Sequence, residues 1–131
     1  MKLYIYYVAI AFKSHHPIRH VKSFKYAFEG IFHALLNEPN FRLQLIIVAV
    51  STFLGFHYNI SNVEWAILIV VMGTLLSAEM LNTVVEEFMD HLIKEESVGV
   101  KIIKDLAAGF VLVTAITALL IVILIFGNRI L

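Results

Sequence analysis

Residues 106–126 have the sequence LAAGFVLVTAITALLIVILIF. It contains no ionisable side chain, and its length matches the helix of about 20 residues that crosses the hydrocarbon core of a bilayer. Its polar side chains, Thr114 and Thr117, can donate their hydroxyls to carbonyls of the preceding helical turn. The stretch therefore predicts a transmembrane helix over residues 106–126.

Two further apolar stretches precede it. Residues 63–85 are interrupted only near their ends, by Glu64 on one side and by Glu79 and Asn82 on the other. Residues 41–58 contain a shorter apolar run, LQLIIVAVSTFLGF, which spans a membrane if the helix continues beyond it. The sequence thus predicts three transmembrane helices.

The segment before the first span has a different pattern. In SFKYAFEGIFHALLNE, apolar residues recur at helical spacing, with Lys25, Glu29 and His33 off that stripe. This pattern predicts an amphipathic surface helix over residues 22–36. Pro39 then ends the helix, because proline disfavours helical geometry at the residue before it, and Glu38 is thereby carried on a turn at membrane level.

The composition supports an all-α membrane protein with one domain. Hydrophobic residues make up 60% of the 131 residues and charged residues only 15%. The net charge is zero, so no basic field argues for a nucleic-acid partner, and the absence of cysteine excludes thiolate chemistry. Any activity is expected at the membrane surface.

The first residues form a short apolar run after Lys2. A signal peptide is one interpretation, but the basic segment KSHHPIRHVK that follows favours retention on the cytoplasmic side. We interpret residues 1–18 as an interfacial extension and residues 19–131 as the functional domain.

Lysine and arginine beside the spans predict the topology. Six precede the first span and three lie between the second and third, whereas none lies between His57 and Ser61. The amino terminus and the second connection are therefore predicted to be cytoplasmic.

An acidic stripe lies at the cytoplasmic end of the second span, in SAEMLNTVVEEFMD. Glu79, Asn82 or Thr83, Glu86 and Asp90 fall on one face of a continuing helix. A salt-bridged helix end, with Lys94, Lys101 or Lys104 as partners, is one interpretation. A metal or phosphate site is the other, because Lys104 and Asp105 are expected at the same depth as Glu79 to Glu86 and because Glu38 arrives from the first turn.

The chemistry of these groups favours phosphoryl transfer. Hard oxygen ligands without histidine or cysteine suit Mg²⁺, and lysine suits the phosphates of a nucleotide. Glu79 is the candidate base that takes the proton of a lipid hydroxyl.

The segments AEMLNTVVEEFMD and KIIKDLAAGFVLV closely resemble the signature segments of the small bacterial membrane kinases of diacylglycerol and undecaprenol. The resemblance extends from about Arg19 to the end of the chain and includes SFKYAFEG and NEPNFR. It implies a homotrimeric helical bundle in the bacterial inner membrane, with sites shared between chains, ATP as the phosphate donor and Mg²⁺ as cofactor.

The resemblance also implies roles for individual residues. Glu38 and Glu86 match the metal-binding glutamates, Glu79 the catalytic base, and Asn82 the asparagine of the core motif. The matching nucleotide-site positions, besides Glu38 and Glu86, are Arg19, Tyr26, Asp90, Lys104 and Asp105. The segments NFRLQ and KDLAAG resemble the undecaprenol kinase branch more than the diacylglycerol branch. In the diacylglycerol branch an acidic residue appears near the position of Gln44.

Three functional classes are compatible with these patterns. The leading hypothesis is ATP-dependent phosphorylation of undecaprenol, with diacylglycerol as the alternative substrate. A small oligomeric cation channel or transporter should need acids through the depth of the bilayer, whereas the stripe clusters at one face. A structural membrane adaptor predicts that replacing Glu79 is harmless.

Overall fold

A computed structural model describes residues 17–93, 95 and 97–130 of the chain, with side chains from residue 21 onward. Residues 1–16 of the predicted interfacial extension, the side chain of Arg19 and Lys94 lie outside the described residues. Within the described part the chain forms four helices: α1 (Pro17–Asn37), α2 (Pro39–His57), α3 (Asn62–Leu92) and α4 (Val98–Ile130).

The three helices α2, α3 and α4 are long and apolar enough to cross a membrane, as predicted. At 1.5 Å per residue, the 19 residues of α2 extend about 28 Å, close to the thickness of the hydrocarbon core. The 31 residues of α3 and the 33 of α4 extend about 46 and 50 Å. Both helices are therefore longer than a bilayer core needs, and they run beyond the predicted spans 63–85 and 106–126.

Helix α1 is longer than the predicted surface helix. It begins at Pro17 and ends at Asn37, and its part up to His33 belongs to a compact unit separate from the unit that starts at Ala34. Within it, Lys25 and Glu29 form an exposed ion pair one turn apart, with 3.7 Å between Nζ and Oε1. An exposed i,i+4 pair of this kind adds only a few tenths of a kcal/mol to helix stability.

The predicted break at Pro39 is confirmed. Glu38 has extended geometry (φ −99°, ψ 109°), and Pro39 opens α2, where its missing N–H costs nothing. Arg42, in the first turn of α2, donates from Nη1 to the carbonyls of Leu35 at 3.2 Å and of Leu36 at 2.8 Å. These bonds satisfy carbonyls that the end of α1 leaves without helical partners.

The opposite end of the bundle is fixed by a cap and an ion pair. Ser61 caps α3 in a capping box, with its hydroxyl accepting from the backbone N–H of Glu64. Arg129 of α4 also reaches Glu64, at 2.8 Å between Nη2 and Oε1. Asn59 (φ 48°) provides the left-handed residue in the turn before this cap.

The core lies mainly between α3 and α4. Its buried side chains form one cluster with Ile60 from the turn: Leu68, Met72 and Leu75 of α3 and Ala118, Ile125 and Phe126 of α4. Most other large apolar side chains of the spans are exposed in the single chain, as expected for surfaces that lipid or other helices cover.

Gly55 of α2 lies in close contact with the start of α3. A Cβ atom at this position would lie 2.6 Å from Cη2 of Trp65 and 3.2 Å from Cδ1 of Ile60. Trp65 is itself packed against Phe56, with 4.9 Å between ring centroids. We therefore expect Gly55→Ala to destabilise the fold by about 1–3 kcal/mol, as overpacking of a close contact does.

The measurement is the midpoint of unfolding in mixed micelles of dodecylmaltoside and sodium dodecyl sulfate. Gly73→Ala is the matched control, since an added Cβ at Gly73 meets no atom of the described residues within 4 Å. Equal midpoints for the two variants would contradict the close contact at Gly55.

Candidate active site

The carboxylate of Glu79 is buried between α3 and the first half of α2, the half that begins at Pro39. Glu79 of α3 is only 1% exposed, and its Oε2 accepts a hydrogen bond of 2.8 Å from Nε2 of Gln44, which is 7% exposed. Gln44 is five residues from the start of α2, about 7.5 Å along the helix axis. The pair therefore lies in the half of α2 that Pro39 begins, about midway between the first residue and the middle of this helix.

The next turn of α3 continues the polar face. Asn82 donates from Nδ2 to Oε1 of Glu86 at 2.9 Å, and the Thr83 hydroxyl donates to the backbone carbonyl of Glu79 at 3.1 Å. Asn82 and Thr83 are both buried, whereas Glu86 is half-buried. The predicted stripe on one helical face is thus present, and amides rather than lysines hold its two inner carboxylates.

The turn before α2 brings further polar groups to the same place. The side chain of Asn40 lies beside the Glu79 carboxylate, and the charges of Glu38 and Glu86 both act on it. Glu38 reaches this position because the break at Pro39 turns the chain there. The structure therefore gathers Glu38, Glu79 and Glu86 in one region of a single chain.

Three oxygen atoms in this region are buried and have no hydrogen-bond partner among the described residues: Oε1 of Gln44, Oε1 of Glu79 and Oδ1 of Asn82. Buried polar atoms of folded proteins are nearly always paired, so each unpaired one needs an explanation. All three are acceptors. The region is accordingly suited to a group that donates hydrogen bonds, such as a hydroxyl or bound water, or to a cation.

A second polar region, the α3–α4 cleft, lies where α3 ends and α4 begins. It has a volume of about 710 Å³, and its charged lining residues are Asp90, Glu95, Lys101, Lys104 and Asp105. Lys104 donates to Asp90 at 2.5 Å across the cleft, and Lys101 donates to Asp105 at 2.5 Å one turn along α4. The cleft thus combines two ammonium groups with carboxylates, a combination that can bind a phosphorylated ligand and its cation.

The placement of Lys104 and Asp105 differs from the prediction. Lys104 lies opposite Asp90, which is one helical turn beyond Glu86, and so it is not at the depth of Glu79 to Glu86. The register between α3 and α4 causes this difference. Arg19 and Tyr26 belong to α1, and their predicted part in the site stays a prediction.

The salt-bridge interpretation fits only the outer part of the stripe. Asp90 pairs with Lys104, whereas the described ion pairs include neither Glu79 nor Glu86. Glu87 pairs with His91, one turn along α3, at 3.2 Å. In residues 17–93, 95 and 97–130, no group of three or more histidine, cysteine, aspartate or glutamate side chains is arranged to hold a metal ion. A cation at Glu38 and Glu86 would therefore take its remaining ligands from outside these side chains.

Sequence reasoning missed Gln44 and Asn40 as site residues. Gln44 is a lone amide in the apolar run LQLIIVAV, and this isolation is the signal that could have marked it, since an unpaired amide inside a membrane is costly. Asn40 follows Pro39 directly and could have been grouped with Glu38.

An ion pathway finds little support in this arrangement. The described charged side chains of the spans include Glu64 and Arg129 at one end, Glu86 to Asp90 toward the other end, and Glu79 about halfway along α3. A cation path through the bilayer would need charged side chains along its depth, and α3 carries none between Glu64 and Glu79. The geometry instead favours chemistry at one membrane face.

The comparisons with known proteins identify the family of the chain. Residues 25–126 match the family described as Prokaryotic diacylglycerol kinase. The chain is 34% identical over 108 residues to the undecaprenol kinase of Bacillus subtilis, covering 82% of this chain and 88% of that protein. It is 33% identical over 101 residues to the diacylglycerol kinase of Synechocystis, covering 76% of this chain but 57% of that protein. The chain therefore belongs to the prokaryotic diacylglycerol kinase family and is a multi-pass membrane lipid kinase.

Proposed function

We propose that this kinase transfers the γ-phosphate of ATP to undecaprenol, with diacylglycerol as the alternative acceptor. The identity of 34% to an undecaprenol kinase extends over 88% of that relative, whereas the identity of 33% to a diacylglycerol kinase extends over 57%. The longer match favours undecaprenol modestly. The NFRLQ and KDLAAG segments favour the same branch.

The single observation that carries the proposed chemistry is the buried Glu79 carboxylate, with one oxygen held by Gln44 and the other without a partner among the described residues. A general base must lie within hydrogen-bond reach of the proton that it takes. A lipid alcohol with its hydroxyl at the membrane edge can donate to the second oxygen, so Glu79 is the proposed catalytic base.

The carboxylates of this region are the type of ligand that Mg²⁺ prefers. Glu38 and Glu86 supply carboxylate oxygens near Glu79. Mg²⁺ is commonly held by one or two carboxylates, with water and phosphate oxygens completing its shell. We assign Glu38 and Glu86 as the residues that hold the ion. When bound, Mg²⁺ neutralises charge that develops on the transferring phosphoryl group.

The α3–α4 cleft is the proposed nucleotide side of the site. Lys104 and Lys101 supply ammonium groups for phosphates, and Asp90 and Asp105 hold these lysines in place. The ion pairs would exchange for contacts with ATP when it binds. Arg19 and Tyr26 of α1 are proposed as further nucleotide contacts, and Asn82 as support for Glu86.

The proposed reaction is a direct in-line displacement. The oxygen of the lipid hydroxyl forms a bond to the γ-phosphorus, and the bond from that phosphorus to the β–γ bridging oxygen breaks. ADP leaves with the electron pair, and the hydroxyl proton passes to Glu79. Most of the catalytic effect in such a transfer comes from positioning and charge stabilisation.

We also propose on which side of the membrane the site lies and how the chains assemble. We place the amino terminus and both polar regions on the cytoplasmic side of the inner membrane, where ATP is available and where the lysine-rich connections favour retention. A homotrimer with sites shared between chains is the proposed assembly. The exposed apolar faces of α2, α3 and α4 give it surface to bury.

Substrate competition tests the proposed acceptor. Purified protein in mixed micelles would receive γ-labelled ATP, Mg²⁺ and equal mole fractions of undecaprenol and diacylglycerol. We expect the ratio of kcat/KM for the two lipids to favour undecaprenol by at least about ten-fold, a difference of about 1.4 kcal/mol in transition-state binding. Preferential labelling of diacylglycerol would overturn the choice of acceptor, and labelling of neither lipid would overturn the proposed function.

A further inference from the structure

The hydrogen bond between Gln44 and Glu79 joins two helices through residues 35 positions apart. Both side chains are buried, at 7% and 1% exposure. Since an ionised carboxylate has no proton to donate, the amide must present its NH₂ group to it, and this fixes which end of Gln44 faces Glu79. A hydrogen bond to a charged partner is also stronger than one between neutral groups.

The Glu79 side chain needs such a contact to hold one orientation. Its backbone is fixed within α3, where its carbonyl also accepts from the Thr83 hydroxyl at 3.1 Å. The last torsion of a glutamate, which turns the carboxylate, has a broad and shallow preference. The bond from Gln44 to Oε2, together with the Asn40 side chain beside this carboxylate, restricts this freedom and determines where Oε1 is held. Oε1 is buried and has no hydrogen-bond partner among the described residues.

We infer that Gln44 is a positioning residue, which orients the Glu79 carboxylate so that Oε1 is available to the hydroxyl of the lipid alcohol. This inference rests on the proposed function, in which Glu79 is the base. Gln44 acts through Glu79 and makes no bond to the reacting phosphorus.

A purely structural role for Gln44 fits the contacts less well. Helix α2 already packs on α3 through apolar and small residues, including the close approach of Gly55 to Trp65. A glutamine that only joined helices would be expected to pair both ends of its amide, yet Oε1 of Gln44 is buried without a partner in the described part of the chain. The Gln44 amide therefore acts as a hydrogen-bond donor to the Glu79 carboxylate. Its own oxygen, Oε1, is a further unpaired acceptor in the same region.

The test replaces Gln44 with methionine, which keeps the length of the side chain and removes the donor. We expect Gln44→Met to lower kcat about ten- to hundred-fold while KM for MgATP changes less than about two-fold, since misplacement of one reacting group by about 1 Å costs up to about a hundred-fold. Gln44→Asn, whose amide is one methylene too short, should give a similar loss while keeping a polar group in the pocket. Ser51→Ala, a change on the buried face of the same helix, is the matched control and should stay within about two-fold of wild type.

A double variant separates positioning from general damage. If Gln44 acts only through Glu79, adding Gln44→Met to Glu79→Gln lowers the rate by no more than about two-fold further, whereas independent effects would multiply. Multiplying effects, or wild-type kcat in both Gln44 variants, would overturn the inference. A strong loss in Glu79→Gln beside unchanged Gln44 variants would overturn it and leave the proposed function standing. If the wild-type protein labels neither lipid, the proposed function is wrong, and the inference about Gln44 is overturned with it.

Discussion

Replacing Glu79 with glutamine is expected to lower kcat by about 10²- to 10⁴-fold, the usual loss when a general base is removed. The fold should survive the change, because the amide oxygen of a glutamine can still accept the hydrogen bond that Gln44 donates to this position. The proposed nucleotide-binding residues lie on the next turns of α3, on α4 and on α1, so KM for MgATP should change less than about three-fold. Initial rates of label transfer from ATP to undecaprenol in mixed micelles measure both constants.

Glu87→Gln is the control for Glu79→Gln. It removes one carboxylate from the same helix, but Glu87 is more exposed than Glu79 and pairs with His91 at 3.2 Å. Its rate should stay within about two-fold of wild type. A kcat for Glu79→Gln within about three-fold of wild type would exclude Glu79 as the base and would favour a structural role for the buried carboxylate.

Glu86→Gln is expected to raise the Mg²⁺ concentration for half-maximal rate at least about ten-fold and to lower the rate at fixed Mg²⁺ correspondingly. Only two protein carboxylates, Glu38 and Glu86, are assigned to the ion, so the loss of one removes half of its charged protein ligands. The neutral glutamine can still accept from Asn82, which donates to Glu86 at 2.9 Å, and the local helix should therefore persist.

Titration of Mg²⁺ at constant MgATP, with Glu38→Gln and Glu87→Gln beside Glu86→Gln, measures this effect. Glu38→Gln should shift the Mg²⁺ dependence in the same direction, whereas Glu87→Gln should not shift it. Unchanged Mg²⁺ dependence in both Glu38→Gln and Glu86→Gln would show that the ion is held elsewhere.

The sequence is sufficient to predict those parts of the fold that depend on local chemistry. Residues 106–126 lie within α4 because a long uncharged run has no alternative to a membrane helix. Pro39 breaks the chain for a local steric reason, so the turn that carries Glu38 was predictable. The polar face of α3 follows from helical spacing alone, which is enough to put Glu79, Asn82 and Glu86 on one side of the helix.

The ends of the helices were less predictable. Apolar runs mark the part of a helix that lies in lipid. The second predicted span ends near Val85, whereas α3 continues to Leu92. The third predicted span begins at Leu106, whereas α4 begins at Val98. The additional turns are polar helix outside the predicted spans, which hydropathy does not detect. These turns contain Asp90, Lys101 and Lys104, and so they form the α3–α4 cleft.

Contacts between helices were beyond the sequence. The pairing of Gln44 with Glu79 depends on how α2 packs on α3, and no periodic pattern connects residues 35 positions apart. The register of α4 against α3 likewise puts Lys104 opposite Asp90 rather than beside Glu86. Sequence reasoning therefore found most of the charged groups of the candidate site but not the amide that holds the central carboxylate.

Single-turnover transfer with γ-labelled ATP tests whether the γ-phosphate passes directly to a lipid alcohol at the Glu79 site. Enzyme in excess over ATP would be mixed with Mg²⁺ and undecaprenol in micelles and quenched over time, with ADP, labelled lipid and labelled protein measured in the same samples. We predict that lipid phosphate and ADP appear together in equal amounts, with no labelled protein at any time. ADP released without labelled lipid, or label passing through the protein, would contradict direct transfer to a lipid alcohol at the Glu79 site.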